Sequence, residues 1–321
     1  MSDTIDPATR AFLDMLKSSG GKPLHELPVG EVRGAVRTLS QQLGGPPTEV
    51  HAVSDRHIPG AAGEIAVRLY YPQPLAANER LPIVVNYHGG GWAAGDLDSS
   101  DGVCRYYCRH AGALVVNVDY RLAPEHKFPA AVDDSFAALA WAVDHARNLG
   151  ADGTRVAVTG DSAGGTLSAV VCQLARDRGF PKIAFQALTY PAVDLDPTAD
   201  YPSRRLYGDG DYFLSNADMA WFASLYLNDR GQEGRDPRAS PIASRDLTRL
   251  PPALVVTAGL DILRDEGKAY ADRLAAAGVP VEYRCFEGTI HAFMAFGGQI
   301  PLGTEGLALV ASRLRQALHT V

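Results

Sequence analysis

Arg155-Val156-Ala157-Val158-Thr159-Gly160-Asp161-Ser162-Ala163-Gly164-Gly165 is a short apolar run that ends in a serine flanked by small residues. Arg155–Thr159 reads as a buried strand and Thr166–Arg176 as the helix that leaves it, so Ser162 falls on a strand-to-helix turn. Gly160-Asp161-Ser162-Ala163-Gly164 fits the G-x-S-x-G pattern of a nucleophile elbow. Such a turn forces its serine into a strained conformation, and small neighbours relieve the crowding. The hydroxyl then stands at the start of a helix, whose dipole favours negative charge. The pattern is short, and a Gly/Ser-rich turn can match it by chance. The flanking sequence has to decide.

On both sides of this stretch, short apolar runs alternate with helical periodicity. Strands are expected at Pro82–Tyr87, Ala113–Val118, Arg155–Thr159, Ala184–Leu188, Ala253–Thr257 and Val281–Phe286. Helices are expected at Asp133–Asn148, Ser162–Asp177, Arg264–Ala277 and Leu307–Leu318. Continuous Val/Ile/Leu runs suit strands covered on both faces, which predicts an α/β fold around a mostly parallel sheet. Ahead of it, Thr48–Ile58 and Gly63–Tyr71 alternate apolar and polar residues as half-buried antiparallel strands do. Two amphipathic helices, Pro7–Ser18 and Val29–Leu43, open the chain and are punctuated by Gly20-Gly21 and Gly44-Gly45-Pro46-Pro47.

The alternation breaks between Pro191 and Pro252, a Pro/Gly/Asp-rich stretch with one helix near Asn216–Leu227. An excursion of that length in an α/β domain usually serves as a lid or binding element. The expected organisation is therefore a cap made of residues 1–47 and 191–252 over a catalytic domain of residues 48–190 and 253–321.

A second glycine-rich motif, His88-Gly89-Gly90-Gly91-Trp92, directly follows the strand Pro82–Tyr87. Three glycines let the backbone approach a substrate and aim bare N–H groups at one point, as oxyanion loops do. Neither the Gly-Lys-Ser/Thr of a phosphate loop nor Rossmann glycine spacing is present. His88 is expected to brace the loop rather than to act in chemistry.

Ser162 needs a base, and there are nine histidines. His25, His51 and His57 precede the main sheet. His110, His126 and His145 lie in helical or turn segments before the serine, and His319 is near the C-terminus. His291 alone is expected just past the carboxyl end of a late strand, on a loop Glu287-Gly288-Thr289-Ile290-His291, where open α/β sheets place their sites. The acid should fall between serine and histidine in the chain. Asp261 follows Ala253–Thr257 through Ala258-Gly259-Leu260, whereas Asp265 and Glu266 open the next helix and complement its dipole. Asp261 is preferred to Asp265, because a strand end fixes direction better than a helical turn.

Bulk properties narrow the remaining choices. A net charge of −7 without any basic run argues against a nucleic-acid partner. No stretch approaches roughly 18 uninterrupted apolar residues, so no membrane span is expected. The opening Met1-Ser2-Asp3-Thr4-Ile5-Asp6 carries acids and no apolar core, unlike a secretory signal. Cys104 and Cys108 stand one helical turn apart, but with Cys172 and Cys285 they form no second pair to complete a zinc site. Reduced, mostly buried thiols and a cytoplasmic location are the expectation.

With these motifs in order, the chain resembles the hormone-sensitive-lipase-like branch of the α/β-hydrolases, often called family IV bacterial esterases. The resemblance rests on His88–Trp92, Asp119-Tyr120-Arg121-Leu122-Ala123-Pro124-Glu125, Gly160–Gly165, Asp261-Ile262-Leu263-Arg264-Asp265-Glu266-Gly267 and Gly288-Thr289-Ile290-His291-Ala292-Phe293. The family pattern commonly has Pro where Ile262 stands, a position without chemistry. The resemblance implies an eight-stranded, mostly parallel sheet with a helical cap, and a Ser162–His291–Asp261 triad that hydrolyses carboxylic esters without metal or organic cofactor. It implies an oxyanion hole formed by Gly90, Gly91 and Ala163, with Gly89 grouped with them as the residue that shapes the loop. Arg121 would pair with neighbouring acids beneath the site. Relatives that dimerise through the last strand imply a homodimer.

An amidase, lactonase or peptidase on the same fold is the near alternative, and a non-catalytic ligand receptor the distant one. Such receptors lose a triad member, and here all three residues are present. Within the 191–252 stretch, Tyr201, Tyr207, Tyr212 and Phe213 are interspersed with Asp200, Arg204, Arg205, Asp209 and Asp211. This predicts a mixed aromatic and charged pocket lining, suited to soluble esters with acyl chains of about two to eight carbons.

Overall fold

The computed structural model describes residues 4–75 and 79–319. Met1, Ser2 and Asp3, on which part of the signal-peptide reading rests, lie outside the described residues. Helices α1 (Pro7–Ser18) and α2 (Val29–Leu43) have the bounds that the Gly and Pro breakers predict. Asp6 caps α1 by accepting from the Thr9 N–H at 2.9 Å. An antiparallel pair follows, β1 (Ala52–Gly60) and β2 (Gly63–Tyr71), with Gly60 opposite Gly63 at the turn.

The parallel core begins with β3 (Leu81–Tyr87), then α3 (Asp101–Ala111), β4 (Leu114–Asp119), α4 (Ala130–Asp144), β5 (Ala151–Asp161) and α5 (Ala163–Arg178). After β6 (Phe185–Thr189) comes the excursion, which holds α6 (Pro202–Tyr207), α7 (Asn216–Tyr226) and α8 (Arg230–Glu233). The chain returns through β7 (Ala253–Leu260), α9 (Arg264–Ala276), β8 (Val281–Ile290) and α10 (Pro301–His319). The eight strands form one sheet in the order β1-β2-β4-β3-β5-β6-β7-β8. The pairs β1–β2 and β2–β4 are antiparallel and all others parallel, so the fold is the expected α/β-hydrolase sheet. Every residue of β3, β6 and β7 is buried, as strands sandwiched between helical layers must be.

The structure corrects several boundaries. Helix α3 is not among the expected elements, because Gly102 and a Tyr- and Cys-rich sequence hide its period. It buries Cys104, Tyr107, Cys108 and Ala111, one face of successive turns. The segment Glu287–Ile290, expected as a loop, is the end of β8. Ile290 pairs with Leu260 beyond an irregularity between Ala258 and Leu260, and this ladder overrides the low strand preference of Gly288. Helix α10 starts at Pro301 rather than Leu307, its first turns masked by Gly303 and Gly306. All four cysteines are free thiols, and three of them are buried. Among the described residues no helix is long and apolar enough to cross a membrane.

Candidate active site

Ser162 sits between the end of β5 and the start of α5 with φ 53° and ψ −119°. A non-glycine residue there stores on the order of 1–3 kcal/mol of backbone strain. The turn is held by the Ser162 N–H donating to Thr189 O at 2.9 Å and by Thr166 N–H donating to Ser162 O at 3.1 Å. A side chain at Gly164 would collide with the Tyr87 carbonyl, and one at Gly160 with the Gly164 carbonyl. The flanking glycines are thus required by the close approach of β3 and α5.

The residues proposed around the serine converge at the carboxyl ends of β3, β5, β7 and β8. His291 follows β8 directly, and its Nε2 lies 2.9 Å from Ser162 Oγ. Its Nδ1 lies 2.7 Å from Asp261 Oδ2, and Asp261 follows the last residue of β7. An ionised carboxylate only accepts, so Nδ1 carries the proton and the lone pair of Nε2 faces the serine. The other oxygen, Asp261 Oδ1, accepts from the Leu263 N–H at 2.9 Å, which fixes the carboxylate plane. Asp261 and His291 are both buried, and the Tyr190 ring meets the imidazole edge-on at 4.9 Å between centroids. Asp265 is engaged elsewhere: it accepts from the Ser203 N–H at 2.8 Å and pairs with Arg264. Among the other histidines, His25 pairs with Asp218 and His319 meets the Ala111 carbonyl.

Gly90, Gly91 and Trp92 have φ of 116°, 58° and 59°, three consecutive residues in the region that favours glycine. The loop folds back so that Gly90 O accepts from both Ala93 N–H and Ala94 N–H. The Gly90 and Gly91 N–H groups have no acceptor among the described residues, and Ala163 N–H opens α5 without an intrahelical partner. Gly89 differs. Its N–H donates to Asp161 Oδ1 at 2.9 Å, so of the four residues grouped for the oxyanion it gives shape and not a donor. His88 braces the loop, its Nδ1–H donating to Gly89 O at 2.8 Å while the ring stacks on Tyr120. Arg121 clamps Asp134 through both carboxylate oxygens at 2.8 Å each, the expected pairing beneath the site.

Two acids were not anticipated in their roles. Asp161 joins the elbow to the glycine loop, and burial pushes its carboxyl pKa up against the opposing pull of His88, His291 and the Gly89 N–H. Its position beside the serine was the available signal. Glu266 is completely buried, accepts from Val193 N–H at 2.9 Å and Asp194 N–H at 3.2 Å, and pairs with Arg204. Its place in the first turn of α9 suggested only a dipole role.

The serine opens into a cavity of about 120 Å³. Its upper wall is apolar: Leu39 from α2, Phe213 and Leu214, Met219 and Phe222 from α7, and Phe296. This corrects the expected mixed lining, of which Phe213 alone faces the cavity. Tyr201 instead donates to Asp194, Tyr207 meets Arg264, Arg205 pairs with Asp200, and Asp211 pairs with Lys17. Tyr207 and Arg204 tie this segment to Arg264 and Glu266, Asp211 ties it to α1, and Tyr201 and Arg205 pair within it, which leaves its apolar groups for the pocket. His25–Asp218 at 2.7 Å joins the two parts of the roof, and Arg33–Glu125 at 2.6 Å and Arg37–Asp96 at 2.6 Å tie it down.

A family model described as alpha/beta hydrolase fold matches residues 84–295. The carboxylic ester hydrolase LipN of Mycobacterium tuberculosis is 44% identical over 328 residues, covering 99% of this chain and 85% of its own. The ethyl acetate hydrolase of Pseudomonas putida is 36% identical, with 98% of this chain and all of its own covered. Among solved structures, the hyperthermophilic esterase of Pyrobaculum calidifontis superposes with a TM-score of 0.92 at 41% identity, covering 98% of each chain.

Proposed function

The chain belongs to the α/β-hydrolase-fold family, in its hormone-sensitive-lipase-like branch, and from that premise we propose that it is a serine carboxylesterase acting on short- to medium-chain acyl esters. The observation that carries this reading is the continuous chain Asp261–His291–Ser162, with hydrogen-bond distances of 2.7 and 2.9 Å, at the floor of an apolar cavity. Relatives of similar length named as ester hydrolases support the reaction class.

In this mechanism Ser162 Oγ attacks the ester carbonyl while His291 Nε2 takes its proton. Asp261 holds the imidazole in the tautomer that leaves Nε2 free, and stabilises the imidazolium that results. The tetrahedral oxyanion is received by the N–H groups of Gly90, Gly91 and Ala163, each contributing about 3 kcal/mol. Collapse expels the alcohol, protonated by His291. Water then attacks the acyl-enzyme with His291 again as base, and Ser162 is released with the carboxylic acid.

Residues 1–47 and 191–252 form the cap in this reading, over a catalytic domain of residues 48–190 and 253–321. Each methylene buried in the pocket gains about 0.8 kcal/mol until the room is used up. Activity therefore rises from acetyl, peaks near butyryl or hexanoyl, and falls by about twelve carbons. Four free thiols fit action in the reducing cytoplasm. The test is turnover of p-nitrophenyl butyrate and of a matched anilide by wild type and Ser162→Ala. Wild type should favour the ester, and the variant should lose roughly 10⁴–10⁶ in kcat. Even a tenth of wild-type activity in the variant would sink the mechanism, and preference for the anilide would move the reading to an amidase.

A further inference from the structure

Four residues, Ser40, Ser99, Val103 and Ala295, line the catalytic cavity on one side and a second chamber of about 830 Å³ on the other. The two spaces differ in chemistry. The catalytic cavity is walled by Leu39, Phe213, Met219, Phe222 and Phe296. The second chamber contains Arg68, held by Asp55 at 2.7 Å, Asp98 at 2.9 Å and Asp101 at 3.4 Å, and Arg105, which meets Asp101 at 2.6 Å.

Val103 has the bulkiest apolar side chain in this shared wall. It stands in the first turn of α3, a helix whose buried Cys104, Tyr107 and Cys108 anchor it in the core. A substrate arm directed at α3 therefore meets a branched side chain on a fixed backbone, and cannot push the wall aside cheaply. Serine and alanine complete the partition, so the barrier in that direction is narrow.

We infer that Val103 is a specificity-determining residue: it ends the apolar room available to one arm of the ester and separates it from a polar chamber able to take a longer arm with a hydrogen-bonding end. The inference rests on the proposed ester hydrolysis and names the residue that sets its length limit. The carboxylates of Asp55, Asp98 and Asp101 line the chamber and can accept from a hydroxyl at the end of such an arm.

The experiment compares wild type, Val103→Ala and Val103→Phe on two series, p-nitrophenyl acyl esters and alkyl acetates, each with four- and ten-carbon arms. The readout is the ratio of kcat/KM for the long arm to that for the short arm, with folding of each variant checked by circular-dichroism melting. A methylene newly accommodated is worth roughly fourfold. In the series whose arm runs toward α3, Val103→Ala should raise the ratio by about tenfold or more, and Val103→Phe should lower it. Within that series, ending the long arm in a hydroxyl should cost Val103→Ala less than it costs wild type. If Val103→Ala does not fold, Val103→Ile takes its place and should lower the ratio, since it extends the barrier. An active wild type whose ratios stay within twofold in all variants and both series overturns this inference alone. A wild type inert toward every ester overturns the catalytic reading, and this inference with it.

Discussion

Gly89 donates its amide hydrogen to Asp161 at 2.9 Å, so the loop that carries the free Gly90 and Gly91 amides is tied to the residue next to Ser162. In the proposed mechanism this hydrogen bond holds the nucleophile in register with the oxyanion donors. Asp161→Ala should remove that tie and lower kcat by about 10²-fold, the effect of misplacing an oxyanion donor. Asp161→Asn keeps an acceptor oxygen and should retain most of the activity. Equal losses in the two variants, measured with p-nitrophenyl butyrate, would separate Asp161 from loop positioning.

Asp261→Asn should lose on the order of 10⁴ in kcat, because an amide that donates to Nδ1 selects the wrong imidazole tautomer. Asp265→Asn should lose far less, since Asp265 is bonded to Ser203 and Arg264. Steady-state kinetics on both variants, with melting curves to subtract instability, checks the order of severity.

Burial is the largest influence on Glu266 and pushes its carboxyl up to about 7, despite the opposing pull of Arg204 and the Val193 N–H. An unfolded glutamic acid releases its proton near 4.5. Between these values the folded chain holds a proton that the unfolded chain has lost, so this group's contribution to stability falls as pH rises. Wild type should therefore lose stability relative to Glu266→Gln between pH 5 and 8, by at most on the order of 3 kcal/mol. Urea unfolding of both proteins at the two pH values measures it, and an equal difference at both would refute the assignment.

Deleting residues 1–43 removes Leu24, Val36, Leu39 and Ser40 from the cavity wall, together with the His25–Asp218 and Arg33–Glu125 ties. Butyrate turnover should fall by at least about tenfold through lost positioning. The decline from six to twelve acyl carbons should become shallower as the roof opens. A long-chain triglyceride emulsion hydrolysed by the intact chain faster than soluble butyrate esters would mean that the roof lifts at an oil–water interface.

Strand β8 is one edge of the sheet, and an edge strand offers its unpaired backbone groups to another chain. Pairing of two β8 edges gives an isologous contact, as closed dimers require. Light scattering at micromolar concentration should find twice the 34.3 kDa chain mass. A 34.3 kDa species alone would exclude the dimer.

The sheet was legible because its central strands are uninterrupted apolar runs, and the candidate residues Ser162, Asp261 and His291 because each stands at a strand end. What stayed hidden was of two kinds. Helix α3 and the first turns of α10 contain glycines that lower local helix preference, and tertiary packing supplies what propensity lacks. The pocket lining was misread because composition reports which residues a segment contains and not which way they face. Tyr201 satisfies Asp194 within the segment and Arg204 satisfies Glu266 of α9, and only the three-dimensional arrangement reveals that Phe213, Leu214, Met219 and Phe222 are left for the cavity.

The roof also has a consequence for the order in which the molecule is made. Phe12 of α1 stacks on Phe296 at 4.8 Å, Asp6 N–H donates to Gly288 O at 3.1 Å, and Gly298 N–H donates to Leu43 O at 3.0 Å. The helices nearest the N-terminus thus dock on residues that emerge from the ribosome more than 250 positions later. At synthesis rates of about 5–20 residues per second, α1 and α2 wait tens of seconds with their apolar faces uncovered. The apolar faces of these helices therefore stay uncovered until β8 and the segment that follows it have been made.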